Sequence, residues 1–148
     1  MGTSVDRALV DTNVLVYSLF EDDEHHAAAS QLLDKAQNGD LTLCLAPQVL
    51  AELYAVITDS RRVTSPYEPA EAIKTIELFL AMPGIVLLSV PPNIVTRWIA
   101  LLQQHPVKRG EVFDLQLIAV MLGNEVQSVY TFNLSDFARF THICVLTP

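Results

Sequence analysis

The chain has only two cysteines in 148 residues, Cys44 and Cys144, each in a short apolar run and far apart in the sequence. That excludes a disulfide-stapled scaffold and leaves buried, reduced thiols as the expectation. Cations are scarce as well: nine Lys and Arg stand against 17 Asp and Glu, a formal charge of −8. A general attraction to polyanions is thereby excluded, and any nucleic-acid contact must be local. Although 51% of the residues are hydrophobic, no apolar run reaches the ~18 residues that a membrane helix needs. The segment Met1 to Arg7 lacks the basic end and apolar stretch of a signal peptide, so a cytoplasmic protein without a membrane span is expected. There is no internal repeat, low-complexity segment or linker, and 1–148 reads as a single domain with enough chain to bury a real core. The four histidines, His25, His26, His105 and His142, follow neither a metal-ligand nor a catalytic-triad spacing.

What the chain does have is acid in apolar surroundings. Asp11 closes the strand-like run Ala8-Leu9-Val10, Glu52 and Asp114 lie in hydrophobic helical stretches, and Asp136 sits near the C-terminal end. An unpaired buried carboxylate either neutralises or finds a cation. Four of them converging would form a site for a hard ion, Mg²⁺ or Mn²⁺. The run Glu21-Asp22-Asp23-Glu24 has a plainer reading as acid in a first helical turn, complementing the helix dipole. His25 and His26 then read as surface residues at the start of that helix.

The apolar pattern alternates strand and helix. Ala8 to Val10 is a buried strand, followed by the polar turn Asp11-Thr12-Asn13 and a helix from Val14 to Phe20. A second helix is expected over His25 to Ala36, a strand over Leu41 to Ala46, and a helix from Pro47 to about Asp59. Further helices follow at Pro69 to Met82, from Pro91-Pro92 to near His105, at Glu111 to Gly123 and at Leu134 to Arg139. The remaining strands are Ile85 to Val90, Ser128 to Tyr130 and His142 to Leu146. Five short apolar strands alternating with longer helices imply an α/β fold: a central, mostly parallel five-stranded sheet inside a three-layer α/β/α sandwich. Apolar stripes at Ile73, Ile76, Phe79 and Leu80, and at Ile94, Trp98, Leu101 and Leu102, suit the core or a self-associating face.

In such sheets ligands gather at the carboxyl ends of the strands, which is where Asp11 and Asp136 fall. Glu52 shares a helical face with Val49 and Val56, so its carboxylate is expected to turn toward the apolar side. Asp114 occupies the first turn of a helix with no obvious wet side, where the dipole also favours an anion. The adjacent pairs Arg61-Arg62 and Lys108-Arg109 are the candidate contacts to phosphate, solvated loop charge being the competing reading.

Four strings, in order, carry a resemblance: Val10-Asp11-Thr12-Asn13-Val14-Leu15-Val16-Tyr17, Leu50-Ala51-Glu52-Leu53, Phe113-Asp114-Leu115-Gln116-Leu117-Ile118-Ala119, and Thr131-Phe132-Asn133-Leu134-Ser135-Asp136-Phe137. Together they resemble the PIN domain, most of all the VapC-type toxin ribonucleases of bacterial type II toxin-antitoxin systems, over nearly the whole chain. The resemblance implies a PIN-like fold and a Mg²⁺- or Mn²⁺-dependent endoribonuclease, usually a homodimer, restrained by a small antitoxin protein. By the same resemblance Asp11, Glu52 and Asp114 match the dependable metal-binding acids. Asn133 and Asp136 share the last position, and Thr12 and Thr131 match hydroxyls that hold carboxylates or a water in place. Asn133 can ligate through its carbonyl oxygen but brings no negative charge, which leaves one or two ions open.

Rival readings are a catalytically silent PIN-fold binding protein and a PIN nuclease of RNA processing that is not a toxin. An aspartyl-phosphate enzyme would need a second acid two residues after Asp11, where this chain has Asn13, and a receiver-like domain would need a late lysine, whereas the last here is Lys108.

Overall fold

The structure, a computed structural model, describes residues 7–148. Met1 to Asp6, most of the segment read for a signal peptide, lie outside the described residues.

The strands are β1 (Ala8–Val10), β2 (Leu43–Leu45), β3 (Ile85–Leu87), β4 (Ser128–Tyr130) and β5 (Cys144–Leu146), and the sheet order is β3-β2-β1-β4-β5, parallel throughout. Leu9 registers with Cys44 on one side and Val129 on the other. All of β1 and β2 is buried, as central parallel strands covered on both faces must be.

The helices are α1 (Thr12–Leu19), α2 (His26–Gln37), α3 (Pro47–Ile57), α4 (Pro69–Leu80), α5 (Ile94–Gln104), α6 (Glu111–Gly123) and α7 (Leu134–Phe137). Contacts run from α1 to α2 and α3 and from α3 to α4, and separately from α5 to α6 and α6 to α7. Right-handed crossovers put the first set on one face of the sheet and the second on the other, because the chain reverses its direction across the sheet after β3. Helix α6 is apolar almost all round and correspondingly buries Leu115, Leu117, Ile118, Ala119, Val120 and Met121. Gly84 closes the junction of α2, β2 and β3: a Cβ there would collide with the carbonyls of Leu41 and Ala36.

Every expected element is present, with ends moved for local reasons. Helix α1 starts two residues earlier than the pattern suggested, because Asp11 caps it by accepting the Thr12 N–H at 2.8 Å. Helix α5 starts later, after a turn in which the Ile94 N–H reaches Pro91 O at 3.1 Å. Helix α2 begins at His26, so Glu21 to Glu24 precede it instead of filling its first turn. Asp23 uses its carboxylate on the His25 N–H at 2.8 Å.

Three burial expectations need correcting. Cys144 is exposed because β5 is an edge strand, whereas Cys44 on the interior strand β2 is buried. His25 and His26 are half-buried, since packing of α2 on α1 draws both against Tyr17. The apolar stripes split: Phe79 is buried and Ile94, Trp98, Leu101 and Leu102 lean on the core, but Ile73 is 51% exposed.

Candidate active site

From β1 the chain leads toward β2, and from its sheet neighbour β4 it leads the opposite way, toward β5. Loops that part in this manner leave a crevice at the carboxyl ends of the strands. Asp11 and Thr131 are the residues stepping off those strands, and the Asp11 N–H still bonds Tyr130 O at 3.0 Å.

Around them lies a hydrogen-bonded scaffold. The buried Thr131 hydroxyl donates to Asp11 Oδ2 at 2.9 Å and accepts from Asn13 Nδ2 at 3.1 Å and from the Asn133 N–H at 3.0 Å. Asn13 also donates to Asp11 Oδ2 at 3.3 Å, and its Oδ1 accepts the Phe132 N–H at 3.2 Å. Thr12, buried at the first position of α1, donates its hydroxyl to Glu52 Oε2 at 2.9 Å. Thr12 and Thr131 thus each donate a hydroxyl to a carboxylate.

Asp11, Glu52, Asp114, Asn133 and Asp136 all line one open cleft of about 340 Å³. Glu52 faces it as the α3 pattern required, yet its side chain is exposed instead of packed on the apolar side, because the strand ends leave the cleft open to solvent. Asp11, Asp114 and Asp136 are half-buried, and Asn133 is exposed. Asn133 is the N-cap residue of α7 but makes no side-chain capping bond, and Asp136 lies inside the first turn.

Burial raises the pKa of both Asp11 and Asp114. For Asp11 the hydrogen bonds from Thr131 and the Thr12 N–H oppose burial, while Glu52 and Asp136 add to it. For Asp114 burial is reinforced by the charges of Asp136, Asp11 and Glu52, with Arg139 a weak counterweight, and the carboxyl is pushed from the ordinary 3.8 up to about 6. The acids therefore feel one another electrostatically.

The basic pairs separate. Arg61 folds back on Asp59 through Nε and Nη2 bonds of 3.1 Å each, which holds the Asp59 carboxyl below its usual range. Of the described lysines and arginines, Arg62 alone lines the cleft. Lys108 and Arg109 belong to the exposed turn ahead of α6 and do not line it, so that half of the expected phosphate contact is not placed at the acids. Two contributors escaped sequence reading. Asn13 was legible only as a missing second acid, whereas it is the second residue of α1 and donates its side-chain amide to Asp11 Oδ2 and to the Thr131 hydroxyl of the neighbouring strand end. Arg139, tied to Glu111 at 2.8 Å, carried no signal, because its approach to Asp114 depends on α7 packing against α6.

The donor set fits a hard cation: carboxylates plus an amide carbonyl, with no thiol or imidazole among the cleft-lining residues. Among the described residues no three acidic, imidazole or thiol groups are drawn together tightly enough to enclose an ion as they stand.

Comparison with known proteins gives this arrangement its family. The model of the PIN domain matches residues 8–143. This chain belongs to the PIN-domain family. Ribonuclease VapC24 of Mycobacterium tuberculosis is 31% identical over 140 residues, covering 94% of each chain. Ribonuclease VapC43 of the same organism is 32% identical over 139 residues, covering 90% of each. In fold, this PIN domain is similar to the sarcin-ricin loop cleaving toxin VapC20 of Mycobacterium tuberculosis, with TM-score 0.65 and 18% identity over 90% of this chain and 95% of that one. It is also similar to VapBC2 from Rickettsia felis bound to a DNA fragment from its promoter, with TM-score 0.63 and 19% identity over 96% and 98% of the two chains.

Proposed function

We propose that this protein is a Mg²⁺- or Mn²⁺-dependent endoribonuclease, a single nuclease domain that hydrolyses phosphodiester bonds in RNA and serves in the cytoplasm as the toxin of a toxin-antitoxin pair. The observation that carries the reading is the set of four carboxylates facing one cleft at the switch point of the sheet, close enough that three of them help to raise the pKa of the fourth. Relatives named as ribonucleases at 31% and 32% identity support the activity.

Asp11, Glu52, Asp114 and Asp136 would hold the ion, and Asn133 would offer a neutral carbonyl oxygen. When bound, a hard divalent ion supplies activation of a water and neutralisation of charge on the phosphate. The chain's own part is positioning. Thr131 and Asn13 lock Asp11, Thr12 locks Glu52, and Arg62 offers a guanidinium to a phosphate at the cleft's rim.

Two features of the surface support the reading of partners. An apolar groove of about 630 Å³ lined by Val90, Ile94, Phe113 and Val120 opens beside Glu52 and suits the helix of an antitoxin, with Glu52 available to a basic side chain. Toxin-antitoxin complexes among the structural relatives, including one from Klebsiella pneumoniae with TM-score 0.60, support that partner. Val95 and Ile99, 60% and 46% exposed on α5, suit a homodimer face. No helix among the described residues is long and apolar enough to cross a membrane.

The test is cleavage of a labelled single-stranded RNA by purified protein. Cleavage with Mg²⁺ or Mn²⁺ should stop with EDTA and with Asp114→Asn, the variant keeping its circular dichroism. Cleavage that survives chelation would sink the mechanism, and no cleavage with any divalent ion would favour the silent PIN-fold binding protein.

A further inference from the structure

Next to the acidic cleft lies a second cavity of about 280 Å³, and the two share Val16, Tyr17 and Arg62 as a common rim. We propose that this second cavity receives the base of a nucleotide adjoining the scissile phosphate and selects guanine, an inference that rests on the ribonuclease reading above.

Continuity is the first argument. The shared rim gives a strand with its phosphate at the acids a polar path for a neighbouring nucleotide, and Arg62 stands there, whereas the groove adjoining Glu52 is apolar and carries no cation. Its neighbour Arg61 is engaged by Asp59, whereas Arg62 forms no ion pair among the described residues. It is thus placed to meet the phosphate between the two cavities.

The second argument is the surface that a base would meet. Unpaired bases bind proteins by stacking on aromatic side chains and by hydrogen bonds along their Watson–Crick edges. Val16, Tyr17 and Phe20 line the second cavity. The Tyr17 ring packs against His25 and Phe132 at centroid distances of 5.1 and 5.3 Å, and those two rings stack at 4.3 Å. Phe20 is held edge-on by Tyr67 at 5.9 Å. The facing loop is pinned by the Tyr67 N–H on Ile57 O at 2.7 Å and by the Arg62 and Val63 N–H groups on Asp59 O. A platform fixed before the ligand arrives costs little ordering on binding.

Polarity selects what enters and which base it is. Asp22 and Asp23 lie on the cavity wall, where their charge repels a phosphate and leaves the base as the entering group. Asp23 Oδ1 already accepts the His25 N–H, but Asp22 is exposed to a ligand, as are Thr64 and Ser65. Guanine presents adjacent N1–H and N2–H donors, the pair that a carboxylate accepts with both oxygens.

The deciding experiment titrates guanosine, inosine and adenosine 5′-monophosphates into the Mg²⁺-loaded protein by NMR and maps cleavage of RNAs carrying guanosine or inosine beside the cut. Guanosine monophosphate should bind about tenfold more tightly than inosine monophosphate, which lacks only the 2-amino donor. Asp22→Asn should erase that difference and the matching preference for guanosine over inosine in cleavage. Equal affinity for the three nucleotides, or an unchanged preference in Asp22→Asn, overturns the pocket and leaves the ribonuclease reading intact. No RNA cleavage by the wild type with Mg²⁺ or Mn²⁺ defeats that reading and the pocket with it.

Discussion

The two walls of the acidic cleft are built differently. On the wall formed by β1, α1 and α3, each carboxylate has hydroxyl, amide or backbone donors: Asp11 takes the Thr131 hydroxyl, the Asn13 amide and the Thr12 N–H, and Glu52 takes the Thr12 hydroxyl. On the wall formed by α6 and α7, the Asp114 carboxyl is shifted by burial and by its acidic neighbours, and the one opposing influence is Arg139. Hydrogen-bond donors temper the upward shift that burial gives Asp11, whereas at Asp114 no donor opposes burial and repulsion and the carboxyl is pushed up to about 6. One wall is ordered without a cation. The other keeps its charge at neutral pH against burial and repulsion, which a bound cation would relieve.

The comparison breaks most sharply when either wall loses its acid. Asp11→Asn and Asp114→Asn should each lower the rate of RNA cleavage by about 10²–10³-fold, the scale of deleting one electrostatic contributor in an active site. Their effects on the metal-free fold should be opposite. A carboxyl with a raised folded pKa contributes stability that is complete below 3.8 and lost as pH rises through about 6. At pH 7.5 Asp114 is therefore a liability without metal, and Asp114→Asn should stabilise the metal-free protein by on the order of 1 kcal/mol, after allowing for solvent screening of a half-exposed group. Asp11→Asn also removes a charge that burial disfavours, but it sets an NH₂ against the donors of Thr131 and Asn13, and that loss should outweigh the relief and destabilise it. Thermal melts at pH 4 and pH 7.5 check both signs, and a fall in stability of Asp114→Asn at pH 7.5 would contradict the two-wall picture.

Removing a support instead of an acid gives a smaller effect. Thr131→Val leaves Asp11 Oδ2 without its shortest side-chain donor, and such positioning groups are worth about 10–100-fold in metal affinity or activity. Thr12→Val should cost less, because the Glu52 carboxylate it holds is exposed and water can replace the lost bond. Mn²⁺ titrations of activity rank the two, and a larger loss from Thr12→Val would reverse the assignment of the ordered wall to Asp11.

The same asymmetry governs what could be read in advance. The ordered wall is local: Asp11, Thr12 and Asn13 are consecutive, directly after an apolar strand, and the helical period of α3 aims Glu52 at the cleft. Asp114 was legible for a different reason, as a carboxylate in a helix that is buried almost all round. Arg139 was not, since its influence is created by the docking of a four-residue helix at the far end of the chain. Nor could the sequence divide Arg61 from Arg62, which differ only in that a turn at Asp59 folds one of them back. Exposure of Glu52 and Cys144 was misjudged alike, because periodicity gives the direction of a side chain and not whether anything covers it.

The smallest effects lie at the outer end of the bare wall, where Asn133 and Asp136 compete for the last ligand position. Asp136 is half-buried and its charge is the largest acidic influence on Asp114, so Asp136→Asn should weaken Mn²⁺ binding and also lower the Asp114 pKa from about 6. Asn133 is exposed, and its backbone N–H is already fixed by Thr131. Asn133→Asp adds a charge without disturbing that bond and should tighten Mn²⁺ by only a few-fold, since solvent screens a surface carboxylate. The measurement is apparent Mn²⁺ affinity from activity, with the Asp114 carboxyl followed by NMR across pH 4 to 8. If Asp136→Asn changes neither quantity and Asn133→Asp leaves the Mn²⁺ affinity unchanged, neither residue is part of the site, and the centre reduces to Asp11, Glu52 and Asp114.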